Sequence, residues 1–103
     1  MKVIADFCVV PIGVGVSISE YVAACQQILE DANLKTNLHA FGTNVEGDWD
    51  AVLDALKTCH KRVHQMGAQR IMTTIKLSTR TDRDQSLEEK VDAVRRRLKG
   101  KGS

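Results

Sequence analysis

The chain has 103 residues, 43% apolar and 27% charged, with one Pro and seven Gly, which excludes two independent cores and equally a disordered low-complexity chain. Fifteen Lys and Arg against thirteen Asp and Glu leave a net charge of +2, excluding the strongly basic surface of an obligate nucleic-acid binder. The longest apolar run, residues 7–12, is too short to span a bilayer, and the opening MKVIADF lacks the core and cleavage site of a signal peptide, so a cytoplasmic protein without a membrane partner is expected.

Residues 3–12, VIADFCVVPI, read as a strand. Parity puts Val3, Ala5, Phe7 and Val9 on one face and Ile4, Asp6, Cys8 and Val10 on the other. Both faces are largely apolar, as in a central strand whose second face needs its own cover. A glycine turn at residues 13–15 follows. A helix then carries Ile18, Val22, Cys25, Leu29 and Ala32 at helical spacing, with Ser17 or Ser19 as its cap and Ser17–Glu20 spaced as a capping box.

Residues 36–42, TNLHAFG, read as a second strand, and residues 42–47 as a tight connection or a short third strand. Asp48 is positioned to cap a long second helix, in which Trp49, Val52, Leu56, Cys59, Val63 and Met66 form one stripe and Gly67 marks the end. Residues 70–79, RIMTTIKLST, alternate as a strand, with Ile71, Ile75 and Leu77 facing one way and Met72, Thr74 and Lys76 the other. A polar loop leads to a third helix, opened by a Ser86–Glu89 capping box and striped by Leu87, Val91, Val94 and Leu98.

This order predicts an α+β fold: a ferredoxin-like βαββαβ antiparallel sheet with an added C-terminal helix. Residues 1–99 make one domain, and residues 100–103 are expected to fray. Both crossover helices then cover one sheet face. The other carries Ile4, Cys8, Val10 and Met72, an apolar patch that soluble monomers seldom leave bare, and a homo-oligomer follows. Asp6, a carboxylate in an apolar strand, is costly unless paired, and Lys76 is its expected partner.

Other constellations are weaker. His60 and His64 share a helix face, but Lys57 and Lys61 flank them and the usual carboxylate is missing, so no metal is expected. Arg95, Arg96, Arg97, Lys99 and Lys101 sit at a helix C-terminus, where the dipole favours cations, and no aromatic residue interleaves them. Cys8, Cys25 and Cys59 lie in apolar stripes as reduced packing thiols. Gly13 and Gly15 lack the third glycine of a dinucleotide turn. In GTNVEGDW, residues 42–49, a turn would gather Thr43, Asn44, Glu46 and Trp49 at a strand-to-helix junction, able to hold a small polar cation.

Four segments occur in order: VVPIG at 9–13, SISEYV at 17–22, GTNVEG at 42–47, and IMTTIK at 71–76 running on to TRTD at 79–82. In them the chain resembles the small thiamine-binding proteins of the YkoF-like family, long catalogued as an uncharacterised family, and the resemblance covers nearly all of residues 2–99. It implies a ferredoxin-like fold, homodimers formed through sheets and often joined into homotetramers, and binding of thiamine or its hydroxymethylpyrimidine part without catalysis. Thiamine is then a ligand, and no cofactor is expected. Carried onto the matched motifs, the resemblance implies ligand contacts from Ser17, Thr43, Glu46, Thr74 and Lys76; Asp6 and Phe41 join them by strand parity.

The chemistry is consistent. Carboxylates and hydroxyls can satisfy an aminopyrimidine, and an aromatic face or a carboxylate stabilises a thiazolium cation. The expectation is therefore a non-catalytic buffer, sensor or carrier for a thiamine-like molecule. Its rival is a structural or regulatory self-assembling protein with no small ligand, in which Asp6 and Lys76 only fix register. No nucleophile–base or metal set points to an enzyme.

Overall fold

In a computed structural model, residues 1–102 are described. Strand β1 (Lys2–Ile12) runs through the middle of a four-stranded sheet of order β2-β3-β1-β4. Its alternation sets the layers: Val3, Ala5 and Phe7 are buried, while Ile4, Asp6 and Cys8 on the opposite parity are half-buried. The edge strands are β2 (Lys35–His39) and β4 (Arg70–Ser78), with β3 (Gly42–Asp48) next to β1, and every pairing is antiparallel. Asp6 stands opposite Asn44 on one side and Lys76 on the other.

Helices α1 (Ser19–Asp31) and α2 (Trp49–Gln65) lie on the Val3–Phe7 face. Their buried residues recur every three or four positions: Cys25 and Leu29 on α1, and Val52, Leu56, Cys59 and Val63 on α2. With Val45 and Ala68 they close one core. Each fully buried branched side chain there contributes about 1.5–3 kcal/mol. Gly67, at φ +110°, ends α2 in the left-handed region that L side chains avoid.

Helix α3 (Leu87–Gly102) departs to the other side of the sheet. One half of its capping box forms: Ser86 Oγ accepts the Glu89 N–H at 3.1 Å. The fraying expected over residues 100–103 falls partly on Ser103, outside the described residues.

The ferredoxin-like α+β order, the β1–β4 neighbours and the two crossover helices on one face match the sequence reading. Three local expectations do not. The cap residue of α1 is Ile18, not Ser17 or Ser19, and no side chain caps the helix. Asp48 does precede α2, yet its carboxylate makes no cap bond and instead accepts from the Met1 amine at 3.0 Å. Residues 42–48 form a strand, the second of the two readings the sequence left open, so the turn that would gather Thr43, Asn44, Glu46 and Trp49 does not form.

Candidate functional site

That last correction rearranges the site. In a strand, neighbours face opposite ways, so β3 sends Thr43 and Val45 to the helices and Asn44 and Glu46 to the far face. Thr43, Asn44, Glu46 and Trp49 therefore do not converge. Trp49 packs against the core, and the seven candidate residues divide among three places.

The larger place is a cleft of about 860 Å³ between the far face of the sheet and α3, lined by Ile4, Asp6, Asn37, Asn44, Lys76 and Val91 among others. Asp6 sits on its floor, and its Oδ1 lies 2.5 Å from His39 Nε2. His39 Nδ1 accepts the Phe41 N–H at 3.3 Å, so the arrangement fits the Nε2–H tautomer, which donates to the carboxylate. The expected pairing with Lys76 is thus replaced. Lys76 is directly across the ladder, as parity predicts, but His39 takes the carboxylate.

His39 reaches Asp6 across β3 because Gly42, its partner in the ladder, has no side chain. A Cβ there would stand 2.4 Å from the Phe7 carbonyl oxygen and 3.4 Å from the His39 ring. Thr74, opposite Cys8, is exposed on the same sheet face.

Glu46 is on this face too, and it is 8% exposed. Its Oε1 accepts the Leu87 N–H at 2.6 Å, and its Oε2 lies 3.6 Å from Lys2 Nζ. A carboxylate at the start of a helix satisfies an orphan donor and complements the dipole. Lys35 adds a second tie, its Nζ 2.5 Å from Glu88 Oε2. The neighbouring Lys35 ammonium holds the Glu88 carboxyl below its ordinary range, and Glu88 in turn raises the Lys35 value. Beyond this first turn the apolar stripe of α3 stays open to solvent, with Val91 47%, Val94 58% and Leu98 63% exposed.

The second place is a pocket of about 250 Å³ between α1 and the β2–β3 hairpin, lined by Phe7, Ile18, Val22, Phe41 and Thr43 and by all three cysteines. Phe41, 84% exposed, stands where it meets solvent. Thr43 is buried and donates to Gln26 Oε1 at 3.4 Å, while Gln26 Nε2 donates to Thr36 Oγ1 at 2.8 Å. Ser17 belongs to neither place. It is exposed in the loop before α1.

Asn37 lines the cleft and His39, from the hairpin pocket, reaches its floor at Asp6, neither announced by the sequence reading. Strand parity from Asp6 across the register gives Asn44 and then Asn37, a signal that a correctly placed β3 would have supplied. His60 Nε2 pairs with Thr73 Oγ1 at 2.6 Å and His64 Nδ1 donates to the Ala68 carbonyl at 2.8 Å, so the two rings have separate partners. Among the described residues no group of three or more His, Cys, Asp or Glu is arranged to hold a metal ion.

Comparison with known proteins bears on the whole domain. A UPF0045 protein of Synechocystis sp. is 57% identical over 91% of this chain and 78% of its own length, and one of Eremothecium gossypii is 37% identical over 95% and 94%. Among solved structures, a Methanocaldococcus jannaschii protein matches with TM-score 0.85 and 33% identity over 90% of this chain and 95% of that one. A Thermotoga maritima protein matches with TM-score 0.79 over 91% of this chain and 99% of that one, but at 21% identity that likeness extends to the fold alone. The family profile described as "Thiamine-binding protein" matches residues 5–95. The chain is therefore a member of the thiamine-binding protein family, also catalogued as UPF0045.

Proposed function

We propose that this protein binds thiamine or its hydroxymethylpyrimidine part without catalysis, in the cleft beneath α3, as a cytoplasmic homodimer or homotetramer. The observation that carries the reading is Asp6: a carboxylate on the sheet floor of the cleft, with Ile4, Asn37 and Asn44 beside it, while Glu88, Lys90, Asp92 and Arg95 line the α3 side. Asp6 offers a carboxylate to a thiazolium cation and offsets the repulsion from Lys76 across the ladder. Asn37 and Asn44 offer the donors and acceptors that an aminopyrimidine matches, and Ile4 and Val91 offer apolar surface to its ring.

Family membership supports the ligand class. Oligomerisation is supported by what the single chain leaves bare: Met72 on the sheet and the Val94–Leu98 stripe on α3 are each more than half exposed. Glu46 acts here by holding the roof in place, and Lys76 and Ser78 form the β4 wall, with Thr74 on the same sheet face outside it. Among the described residues no helix is long and apolar enough to cross a membrane.

Thermal melts with thiamine and, separately, hydroxymethylpyrimidine test the reading. Binding should stabilise the protein by RT ln(1 + [L]/Kd), about 2.7 kcal/mol at a hundredfold excess over Kd. No shift at millimolar ligand would overturn it and leave the self-assembling protein without a small ligand as the account.

A further inference from the structure

The pocket under the β2–β3 hairpin has a floor that ligand binding in the cleft does not use. Where α1 and α2 cross, each contributes a thiol, and Cys59 Sγ lies 3.7 Å from the Cys25 carbonyl oxygen, to which it donates. The sulfur of one cysteine thus rests against the backbone of the other, 34 positions away in sequence. Both are buried in the core, Cys25 8% and Cys59 1% exposed, yet both line the 250 Å³ pocket that Phe41 brings to solvent. Burial and access coincide: a reagent little larger than water can reach thiols that a protein cannot.

We propose that Cys25 and Cys59 are a dithiol that a small hydroperoxide entering the hairpin pocket oxidises to an intramolecular disulfide joining α1 to α2. Their roles differ. The Cys59 thiol beside it lowers the value for Cys25, whereas contact with Cys25 and then burial push Cys59 up. Cys25, 8% exposed against 1% for Cys59, is the sulfur the peroxide meets first, and Cys59 is the thiol that resolves.

In the first step Cys25 sulfur bonds to one peroxide oxygen, the O–O bond breaks, and the departing hydroxide takes a proton to become water. In the second, Cys59 loses its proton and bonds to the Cys25 sulfur. The S–O bond breaks and the hydroxyl leaves with that proton as a second water. Two electrons pass from the sulfurs to the peroxide, which supplies the only oxidant required. Cys8 also lines the pocket, but it lies on β1, and the sulfur-to-backbone contact joins only Cys59 and Cys25, so Cys8 takes no part.

The test uses the reduced full chain treated with equimolar hydrogen peroxide. Titratable thiols should fall from three to one, the intact mass should drop by two hydrogens, and dithiothreitol should reverse both. Cleavage after glutamate separates Cys8 from Cys25 at Glu20, so a link between the fragments 21–30 and 47–88 identifies the pair. Cys8→Ser should leave that link intact, and Cys59→Ser should leave Cys25 as a sulfenic acid that dimedone captures. If Cys59→Ser does not fold, fragment mapping of the unaltered chain and of Cys8→Ser still decides. Three thiols persisting, a link through Cys8, or a link between two chains would each overturn the proposal.

Discussion

Asp6 was legible as a special residue because a carboxylate in the middle of VIADFCVV has no apolar role, and parity placed it on the far face where the structure has it. Its partner was not legible. His39 lies two strands away, and the contact depends on Gly42 presenting no side chain between them, a property of the assembled sheet rather than of either segment. Lys76, the partner that the register suggests, stands opposite, but His39 takes the carboxylate. Replacing Asp6 by Asn keeps the shape and removes the charge. Charged hydrogen bonds contribute about 1.5–3 kcal/mol, so Asp6→Asn should weaken thiamine binding about 10- to 100-fold by calorimetry. Unchanged affinity would place the cation away from Asp6.

Helix α2 could be drawn from its stripe alone, since Val52, Leu56, Cys59 and Val63 are buried as their spacing requires. Strand β3 was harder, because GTNVEG is rich in turn formers and becomes a strand only through pairing with β1 and β2. The seat of α3 was not readable at all: it rests on Glu46, 41 residues upstream, and on Lys35. Glu46→Ala should therefore speed amide exchange over residues 87–94 while the β1–β4 ladder stays protected. The Lys35–Glu88 tie gives the same segment a pH window. Glu88 is depressed below its ordinary 4.5, so its contribution is complete above that value and is lost as pH falls. Lys35 is raised above its ordinary 10.5, so its contribution is complete below that value and is lost at higher pH. Protection of the first turn of α3, corrected for intrinsic exchange, should be flat between these limits at low salt, and Glu88→Gln should remove the tie's share of the acid-side loss.

At the scale of the molecule, the order of elements sufficed for the ferredoxin-like topology, because short connections and antiparallel crossovers leave few ways to lay four such strands. What covers the second sheet face depends on surfaces that no single segment encodes. One chain measures 51 × 31 × 20 Å, an elongated body whose α3 stripe is left half open to solvent. Leu98→Asp should reduce the mass seen by light scattering to that of one chain without loss of helicity by circular dichroism. An unaltered chain that already runs as a monomer would remove the oligomer from the account. The attachment of α3 has a mechanical corollary. A rod pinned near one tip can swing about that pin while the floor beneath it stays rigid, so the gap widens with distance from Leu87. Guests of unequal girth would then settle at different depths along a single wedge, with the same carboxylate in reach.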